Sequence, residues 1–178
     1  MSARAGWGLY FNFSMARSEG DGGFQAISGL GGITNGLGST FRWMAHADLD
    51  GDNDDDIVFS DSDPEGSIWV VMNPGNSSSG LGTQYPTGTG TGRNPSHLIM
   101  KDINRDGRPD AVVANSGTGT IAVLLGGGGG TFSSALIYPA RAGCTAVASA
   151  DFNGDGKPDL ACANRTANNV SVLLNTFP

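Results

Sequence analysis

The sequence predicts an all-β fold of β-propeller-type blades, about three in number, each with four short antiparallel strands. Apolar residues occur in short Val, Ile, Leu and Ala clusters bounded by Gly, Asn, Asp and Pro. Such clusters are typical of strands and tight turns rather than helices. An Asp-rich loop occurs three times, and the same order of strand-like segments surrounds each copy. Four short strands within about 50 residues is the size of one propeller blade.

The acidic loops define the repeat. They span residues 48–56, 102–110 and 151–159, so successive copies begin 54 and 49 residues apart. A first strand leads into each loop, a second strand follows it, and a third strand comes after a polar turn. The predicted first strands are 41–47, 97–101 and 145–150, the second strands are 57–60, 111–115 and 160–164, and the third strands are 67–73, 120–126 and 169–175. Fourth strands are predicted near 84–85 and 136–138, and residues 8–14 fit a further third-strand position.

A length of 178 residues suits one domain with its own core. We predict a single β-repeat domain over 1–178, with blade segments at approximately 7–40 (partial), 41–92, 93–142 and 143–178 (partial). A closed propeller usually has about four to eight blades, so three are too few for a ring. The outermost sheets would expose apolar side chains, which usually mark an interface. These are Val170, Val172 and Leu174 at one end or Leu9, Phe11 and Phe13 at the other. We therefore expect an oligomer or part of a larger assembly.

Acidic side chains are concentrated in the loops, which hold 12 of the 17 Asp and Glu residues in a chain of formal net charge −7. Three divalent cations would reduce that charge to about −1, so the acidity indicates a metal requirement. The ten Lys and Arg residues are scattered, which argues against a nucleic-acid partner. No long apolar stretch is present, so no transmembrane segment is expected.

The loops have the composition of calcium sites, because calcium binds about six to eight oxygen ligands from carboxylates, amides, carbonyls and water. Side chains at positions 1, 3, 5 and 9 of each loop would bind the ion, and position 7 would offer its backbone carbonyl. The predicted ligands are Asp48, Asp50, Asp52, Asp54 and Asp56, then Asp102, Asn104, Asp106, Arg108 and Asp110, then Asp151, Asn153, Asp155, Lys157 and Asp159. Of these, Asp54, Arg108 and Lys157 bind through the carbonyl. We expect about three calcium ions, because magnesium demands near-ideal octahedral geometry.

Position 6 of each loop is expected to adopt a positive φ, which favours glycine and, next, asparagine. Gly107, Gly156 and Asn53 stand there. An EF-hand is the alternative interpretation, and it requires flanking helices and a Glu at position 12. Position 12 here lies in an apolar, strand-like run in all three copies, so position 9 closes the site.

Two segments resemble a known repeat closely. Residues 151–161 read Asp-Phe-Asn-Gly-Asp-Gly-Lys-Pro-Asp-Leu-Ala, residues 169–175 read Asn-Val-Ser-Val-Leu-Leu-Asn, and a Gly-Gly-Gly-Thr-Phe turn ends at Phe132. The chain is similar in these segments to the FG-GAP/VCBS repeat family, the calcium-loop blades found in integrin α-subunit propellers and in many secreted adhesion and lectin-like proteins. The resemblance covers roughly residues 40–178 well and 7–40 faintly.

The resemblance implies a non-catalytic calcium-binding module for protein or glycan interaction or adhesion, located outside the cell or on its surface. A second interpretation is a structural scaffold subunit in which calcium serves only stability, with neighbouring subunits or blades as partners. N-glycosylation sequons fit an extracellular surface, although short sequons also arise by chance. They begin at Asn12, Asn76, Asn164 and Asn169.

The remaining motifs give weaker evidence of function. The glycine run 126–130 lies between strands and lacks the Gly-Lys-Ser/Thr of a phosphate loop, so we interpret it as a hairpin turn. No Gly-x-Ser-x-Gly nucleophile motif occurs, so catalysis has no support. His46 and His97 have no third partner at zinc-ligand spacing and are interpreted as structural or surface residues. The tryptophans, Trp7, Trp43 and Trp69, could form a sugar platform but are more often core residues in strands.

The two cysteines, Cys144 and Cys162, flank the third loop. In a hairpin that pairs residue 150 with 160, residue 144 would face 166, which offsets the cysteines by about four positions. A disulfide needs Cα atoms within about 7 Å. This register favours two small buried apolar residues over a disulfide, although both interpretations remain open.

Overall fold

The computed structural model describes residues 41–61, 65–73 and 82–178, together with the backbone of four short strands nearer the N-terminus. Those four are β1 (Leu9–Phe11), β2 (Met15–Ser18), β3 (Phe24–Ile27) and β4 (Ile33–Asn35). The described residues form strands, turns and loops with no helix. Within that part of the chain, therefore, no helix is long and apolar enough to cross a membrane.

Three antiparallel sheets follow one another along the chain. Sheet 1 contains β5 (Phe41–Ala47), β6 (Asp56–Asp61), β7 (Ser67–Val71) and β8 (Thr83–Pro86). Sheet 2 contains β9 (Pro95–Lys101), β10 (Asp110–Asn115), β11 (Thr120–Leu124) and β14 (Leu136–Pro139), and a separate hairpin pairs β12 (Gly126–Gly128) with β13 (Thr131–Phe132). Sheet 3 contains β15 (Cys144–Ala150), β16 (Asp159–Asn164) and β17 (Asn169–Leu173). The predicted all-β fold of small antiparallel blades is confirmed.

The N-terminal strands have the connectivity of the second half of sheet 2. β1 pairs with β4 while β2 pairs with β3, just as β11 pairs with β14 around the β12–β13 hairpin. This topology agrees with a third-strand position for β1. The bounds of the blade segments and of the single domain stay predictions.

Alternate residues of the central strand β10 face the two neighbouring sheets, as the two-residue period of a strand requires. Ala111 and Val113 pack in one core cluster with residues of sheet 1, whereas Val112 and Ala114 pack in another with residues of sheet 3. All four are fully buried. The sheets are therefore stacked face to face, with one apolar layer between each pair.

Cys144 and Cys162 form a disulfide, with Cα atoms 5.8 Å apart. The hairpin register predicted from the sequence, which favoured two unpaired cysteines, was therefore wrong. The hairpin pairs Ala150 with Asp159 rather than with residue 160. An irregularity between residues 144 and 146 then shifts the pairing again, and Cys144 lies opposite Asn164. Both shifts bring the sulfurs together. The bond closes a loop on the buried face of sheet 3, and both cysteines are fully buried, as predicted.

A buried polar contact joins sheet 1 to sheet 2. The Thr87 hydroxyl, just after β8, donates to Asn115 Oδ1 at 3.0 Å, and Asn115 Nδ2 donates to the Thr87 carbonyl at 3.0 Å. The equivalent residues one repeat later are Ala140, which also follows a Tyr-Pro pair, and Asn164. Asn164 Oδ1 is buried without a hydrogen-bond partner. Because Ala140 has no hydroxyl group, it cannot make the donation that Thr87 makes. The buried Asn164 also does not offer its side chain for glycosylation.

We expect Ala140→Thr to raise the free energy of unfolding by about 1 kcal/mol, because the new hydroxyl can donate to the unpaired amide oxygen of Asn164. Urea unfolding measures the change. Ala140→Val is the matched control, since it has nearly the same shape without a hydroxyl group. Thr87→Ala should lower stability by about 1–3 kcal/mol, because it leaves Asn115 Oδ1 unpaired. Equal stability of the Thr and Val variants at position 140 would contradict this account.

Candidate metal centre

The first aspartate of each loop organises the backbone around its carboxylate. In loop 3 (residues 151–159), Asp151 accepts hydrogen bonds from the amides of Gly154 at 2.7 Å and Gly156 at 2.8 Å. Equivalent bonds run from Gly51 and Asn53 to Asp48 in loop 1 (residues 48–56), and from Asp106 and Gly107 to Asp102 in loop 2 (residues 102–110). The carboxylate therefore lies on the inner side of a tight turn, where a ligand of a loop-bound cation would have to lie.

Position 3 distinguishes the loops. In loops 2 and 3 it is an asparagine that donates to the position-5 carboxylate, from Asn104 to Asp106 at 2.9 Å and from Asn153 to Asp155 at 3.0 Å. In loop 1 it is an aspartate, Asp50. Carboxylate oxygens of Asp48, Asp50 and Asp56 all lie within 4.8 Å of one another. An all-oxygen set converging at that separation fits a hard cation.

The closing aspartate at position 9 has a structural role that the sequence did not indicate. In loop 3, one oxygen of Asp159 accepts the Phe152 amide at 2.9 Å, and the other accepts the Asn175 amide at 2.7 Å. The same two bonds fix Asp56, from Leu49 and Asn73, and Asp110, from Ile103 and Gly126. All three carboxylates are buried. Each one joins the start of its loop to the end of the third strand, which explains why aspartate begins every second strand.

The pKa shifts in the loops follow from burial and hydrogen bonding. Burial raises the pKa of Asp56 and Asp110, because a desolvated carboxylate favours its neutral form. The pKa of Asp48 is lowered chiefly by the Gly51 amide, and that of Asp106 chiefly by the Asn104 side chain. The pKa of Asp155 is lowered as well, chiefly by its hydrogen bond from the Lys157 amide. The charged forms of Asp56 and Asp110 would therefore gain from a nearby cation.

Two positions in each loop have a positive φ. The prediction for position 6 is confirmed, with φ values of 70° at Asn53, 85° at Gly107 and 79° at Gly156. Position 4 also has a positive φ in all three loops, which the sequence analysis missed. Its residues are Gly51, Arg105 and Gly154, with φ values of 86°, 64° and 79°. Glycine at position 4 in two of three copies was the available signal. Arg105 adopts a conformation that costs a non-glycine residue about 1–2 kcal/mol.

The basic residues at position 7 direct their side chains to other partners. Arg108 Nη2 donates to Asp106 Oδ2 at 2.6 Å, and its Nε donates to the Gly126 carbonyl at 2.8 Å. Lys157 Nζ donates to the Phe177 carbonyl. This arrangement is compatible with the prediction that only the backbone carbonyl at position 7 binds metal. In loop 2, however, the Arg108 guanidinium is hydrogen-bonded to one carboxylate oxygen of Asp106, which is a predicted ligand.

The histidines and tryptophans make other contacts. His46 pairs with Asp55 at 2.6 Å, and both side chains are largely exposed. His97 stacks on Trp43 with ring centroids 4.3 Å apart, and burial lowers the pKa of His97. Trp69 Nε1 donates to Asp61 at 3.1 Å on a partly buried surface. Trp7 lies outside the described residues, as do the sequons at Asn12 and Asn76.

A comparison with protein-family models assigns the repeats. The model of the FG-GAP-like repeat matches residues 48–113 and 102–162, and each match begins at the first aspartate of a loop. The matched stretch covers more than half of the chain. A search of the curated proteins gives no match to this sequence. The narrower VCBS and integrin resemblance stays a prediction. On the combined ground of its repeated sheets, its loops and this match, the chain belongs to the FG-GAP-like repeat family.

Proposed function

We propose that this chain is a non-catalytic module that binds about three calcium ions and serves protein or glycan interaction outside the cell or on its surface. The single observation that carries the metal proposal is the repetition of one oxygen-rich loop geometry in three copies. In each copy, the first and closing aspartates accept amides at equivalent positions.

The ligand chemistry favours calcium. Every proposed ligand is an oxygen, and loop 1 brings three carboxylates within 4.8 Å of one another. A loop ligand set of carboxylates, amides and one backbone carbonyl suits calcium, which accepts irregular geometry. Bound calcium would neutralise the carboxylates and hold the loop, and through it the junction of the first and second strands. The family membership supports the same proposal, because FG-GAP repeats often bind calcium and are typical of extracellular or surface proteins.

Removal of calcium should lower the melting temperature by about 10 °C or more, because ions that bind only the folded chain stabilise it by mass action. The measurement is thermal unfolding followed by circular dichroism, in calcium and in excess EGTA. Magnesium in place of calcium is the control and should restore less than half of the difference. A melting curve that EGTA leaves unchanged, after verified metal removal, would contradict calcium binding.

Asp155→Ala should cost more than 1 kcal/mol of stability in calcium, since it removes a central ligand of loop 3. Asp55→Ala is the matched control at a non-ligand position. Its only described side-chain partner is the exposed His46, and such surface pairs contribute about 0–1 kcal/mol. Chemical unfolding with calcium and with EGTA separates ligand loss from fold damage, because the cost of Asp155→Ala should shrink in EGTA. Equal costs for the two variants would show the ligand assignment to be wrong.

A specific observation also favours the second function, a scaffold subunit. One side of sheet 3, which we call the leading face, carries Val170, Val172 and Leu174 beside the loop residue Phe152. Val170, Val172 and Phe152 are 65%, 53% and 49% exposed. Their equivalents in the two preceding repeats are at most 6% exposed, because the next sheet covers them. These equivalents are Ile68, Val70 and Leu49 in sheet 1, and Ile121, Val123 and Ile103 in sheet 2.

We propose that a second copy of this chain covers the leading face. The register places Ala146 and Ala148 opposite Ala163 and Ala161, and these lie opposite Val170 and Val172. The strand residues of the face are therefore small and aliphatic, so two such faces can approach closely without burying a charge. Two-fold dimers that pack one patch on itself are the commonest oligomers. The side chains of Leu9, Phe11 and Phe13, which were predicted to be exposed at the other end, lie outside the described residues.

Sedimentation in calcium should show a dimer, and Val172→Asp should convert it to a monomer with an unchanged melting temperature in dilute solution. Asn169→Asp, at an exposed polar position of the same strand, is the control and should remain dimeric. A stable wild-type monomer of about 18 kDa would contradict the scaffold proposal and leave the calcium module standing. Larger species that Val172→Asp does not affect would place the interface elsewhere and also contradict it.

A further inference from the structure

A chain of hydrogen bonds links the closing aspartates of loops 2 and 3. The Ile103 amide donates to Asp110 Oδ2 at 2.8 Å, and the carbonyl of the same residue accepts Asn175 Nδ2 at 2.8 Å. The Asn175 amide then donates to Asp159 Oδ1 at 2.7 Å. Asp110 and Asp159, which are proposed ligands in successive loops, are thus connected through Ile103 and Asn175.

The same pattern joins loops 1 and 2, but with backbone groups alone. The Leu49 amide donates to Asp56 at 2.9 Å, and the Leu49 carbonyl accepts the Gly130 amide at 3.3 Å. Gly130 belongs to the hairpin that starts at Gly126, whose amide donates to Asp110 at 2.7 Å. Asn175 follows β17 at the position that Gly126 holds after β11, and its side chain makes the contact to Ile103 that the Gly130 amide makes to Leu49.

Asn175 is well fixed for this role. Its Nδ2 donates to the Pro158 carbonyl at 3.0 Å as well as to Ile103, and its Oδ1 accepts the Phe177 amide at 2.9 Å. Asn73, the equivalent residue of sheet 1, contacts its own loop, through the Asp55 carbonyl at 3.3 Å and the Asp56 carboxylate at 2.7 Å. Both residues hydrogen-bond to their own loop, and Asn175 in addition donates to Ile103 of the preceding loop.

We propose that loops 2 and 3 bind cations cooperatively and that Asn175 is the positioning residue that couples them. A cation in loop 2 would fix Asp110 and, through the hydrogen bond from the Ile103 amide, the backbone of Ile103, whose carbonyl accepts Asn175 Nδ2. A fixed Asn175 holds its own amide against Asp159, so less ordering remains when loop 3 binds its ion. Coupling of this kind is reciprocal, so each loop tightens the other by the same factor. The inference rests on the proposed metal function of the loops.

The test measures the terbium affinity of loop 3 with loop 2 intact and disabled. Phe152→Trp, at an exposed position of loop 3, provides a sensitiser for terbium luminescence and is present in every chain compared. Asp106→Ala disables loop 2. We expect this change to weaken terbium binding at loop 3 by about fivefold or more, the lower end of typical allosteric coupling. In an Asn175→Ala background the same change should weaken binding less than twofold.

Asn73→Ala is the matched control, and in that background the fivefold effect of Asp106→Ala should persist. Asn175→Leu keeps the side-chain volume and provides a second variant if Asn175→Ala fails to fold. An effect of Asp106→Ala that survives both substitutions at position 175, or that is absent from the wild-type background, would overturn the coupling while leaving metal binding intact. No terbium luminescence from the Phe152→Trp chain would overturn the proposed function and the coupling together.

Discussion

Three buried carboxylates hold the repeat together. Asp56, Asp110 and Asp159 each accept the backbone amide of the second residue of the loop and that of the residue at the end of the third strand. Burial of a charged group is costly unless it is paired and hydrogen-bonded. The two amides satisfy part of that requirement, and a cation in the loop would supply the opposite charge. The geometry of the loop and that of the sheet therefore depend on one side chain in each repeat.

The second residue of each loop extends this constraint to the neighbouring sheet. Its amide binds the closing carboxylate, its side chain fills the layer between the sheets, and its carbonyl accepts a donor from the next repeat. Leu49 and Ile103 do all three, and both are buried. Phe152 makes the first contact, but its side chain remains half exposed. This residue therefore couples the folding of its loop to the packing of the next sheet. Such coupling is expected for repeats that are stabilised by their neighbours.

The sequence predicted the strands, the loops and the turn at position 6 because each depends on spacing within about ten residues. Apart from the positive φ at position 4 of the loops and one side-chain rotamer, what it missed depends on pairing between segments. The Cys144–Cys162 disulfide needed the observed hairpin register, and one irregularity in β15 changes which residues lie opposite. The sequon at Asn164 suggested a surface position, but the packing of the sheets buries this residue. The ion pair of Arg108 with Asp106, within a proposed site, follows from a side-chain rotamer that no local pattern specifies.

The three loops differ most in their charge. Loop 1 has six aspartates and no Lys or Arg, loop 2 has three aspartates and two arginines, and loop 3 has three aspartates and one lysine. In loops 2 and 3 an asparagine at position 3 donates to the position-5 carboxylate, and in loop 2 Arg108 does so as well, so hydrogen bonds replace part of what a cation would supply. In loop 1 backbone amides donate the hydrogen bonds to the carboxylates, and oxygens of Asp48, Asp50 and Asp56 lie within 4.8 Å of one another. Repulsion between carboxylates is therefore greatest in loop 1, so a bound cation would stabilise this loop more than the other two.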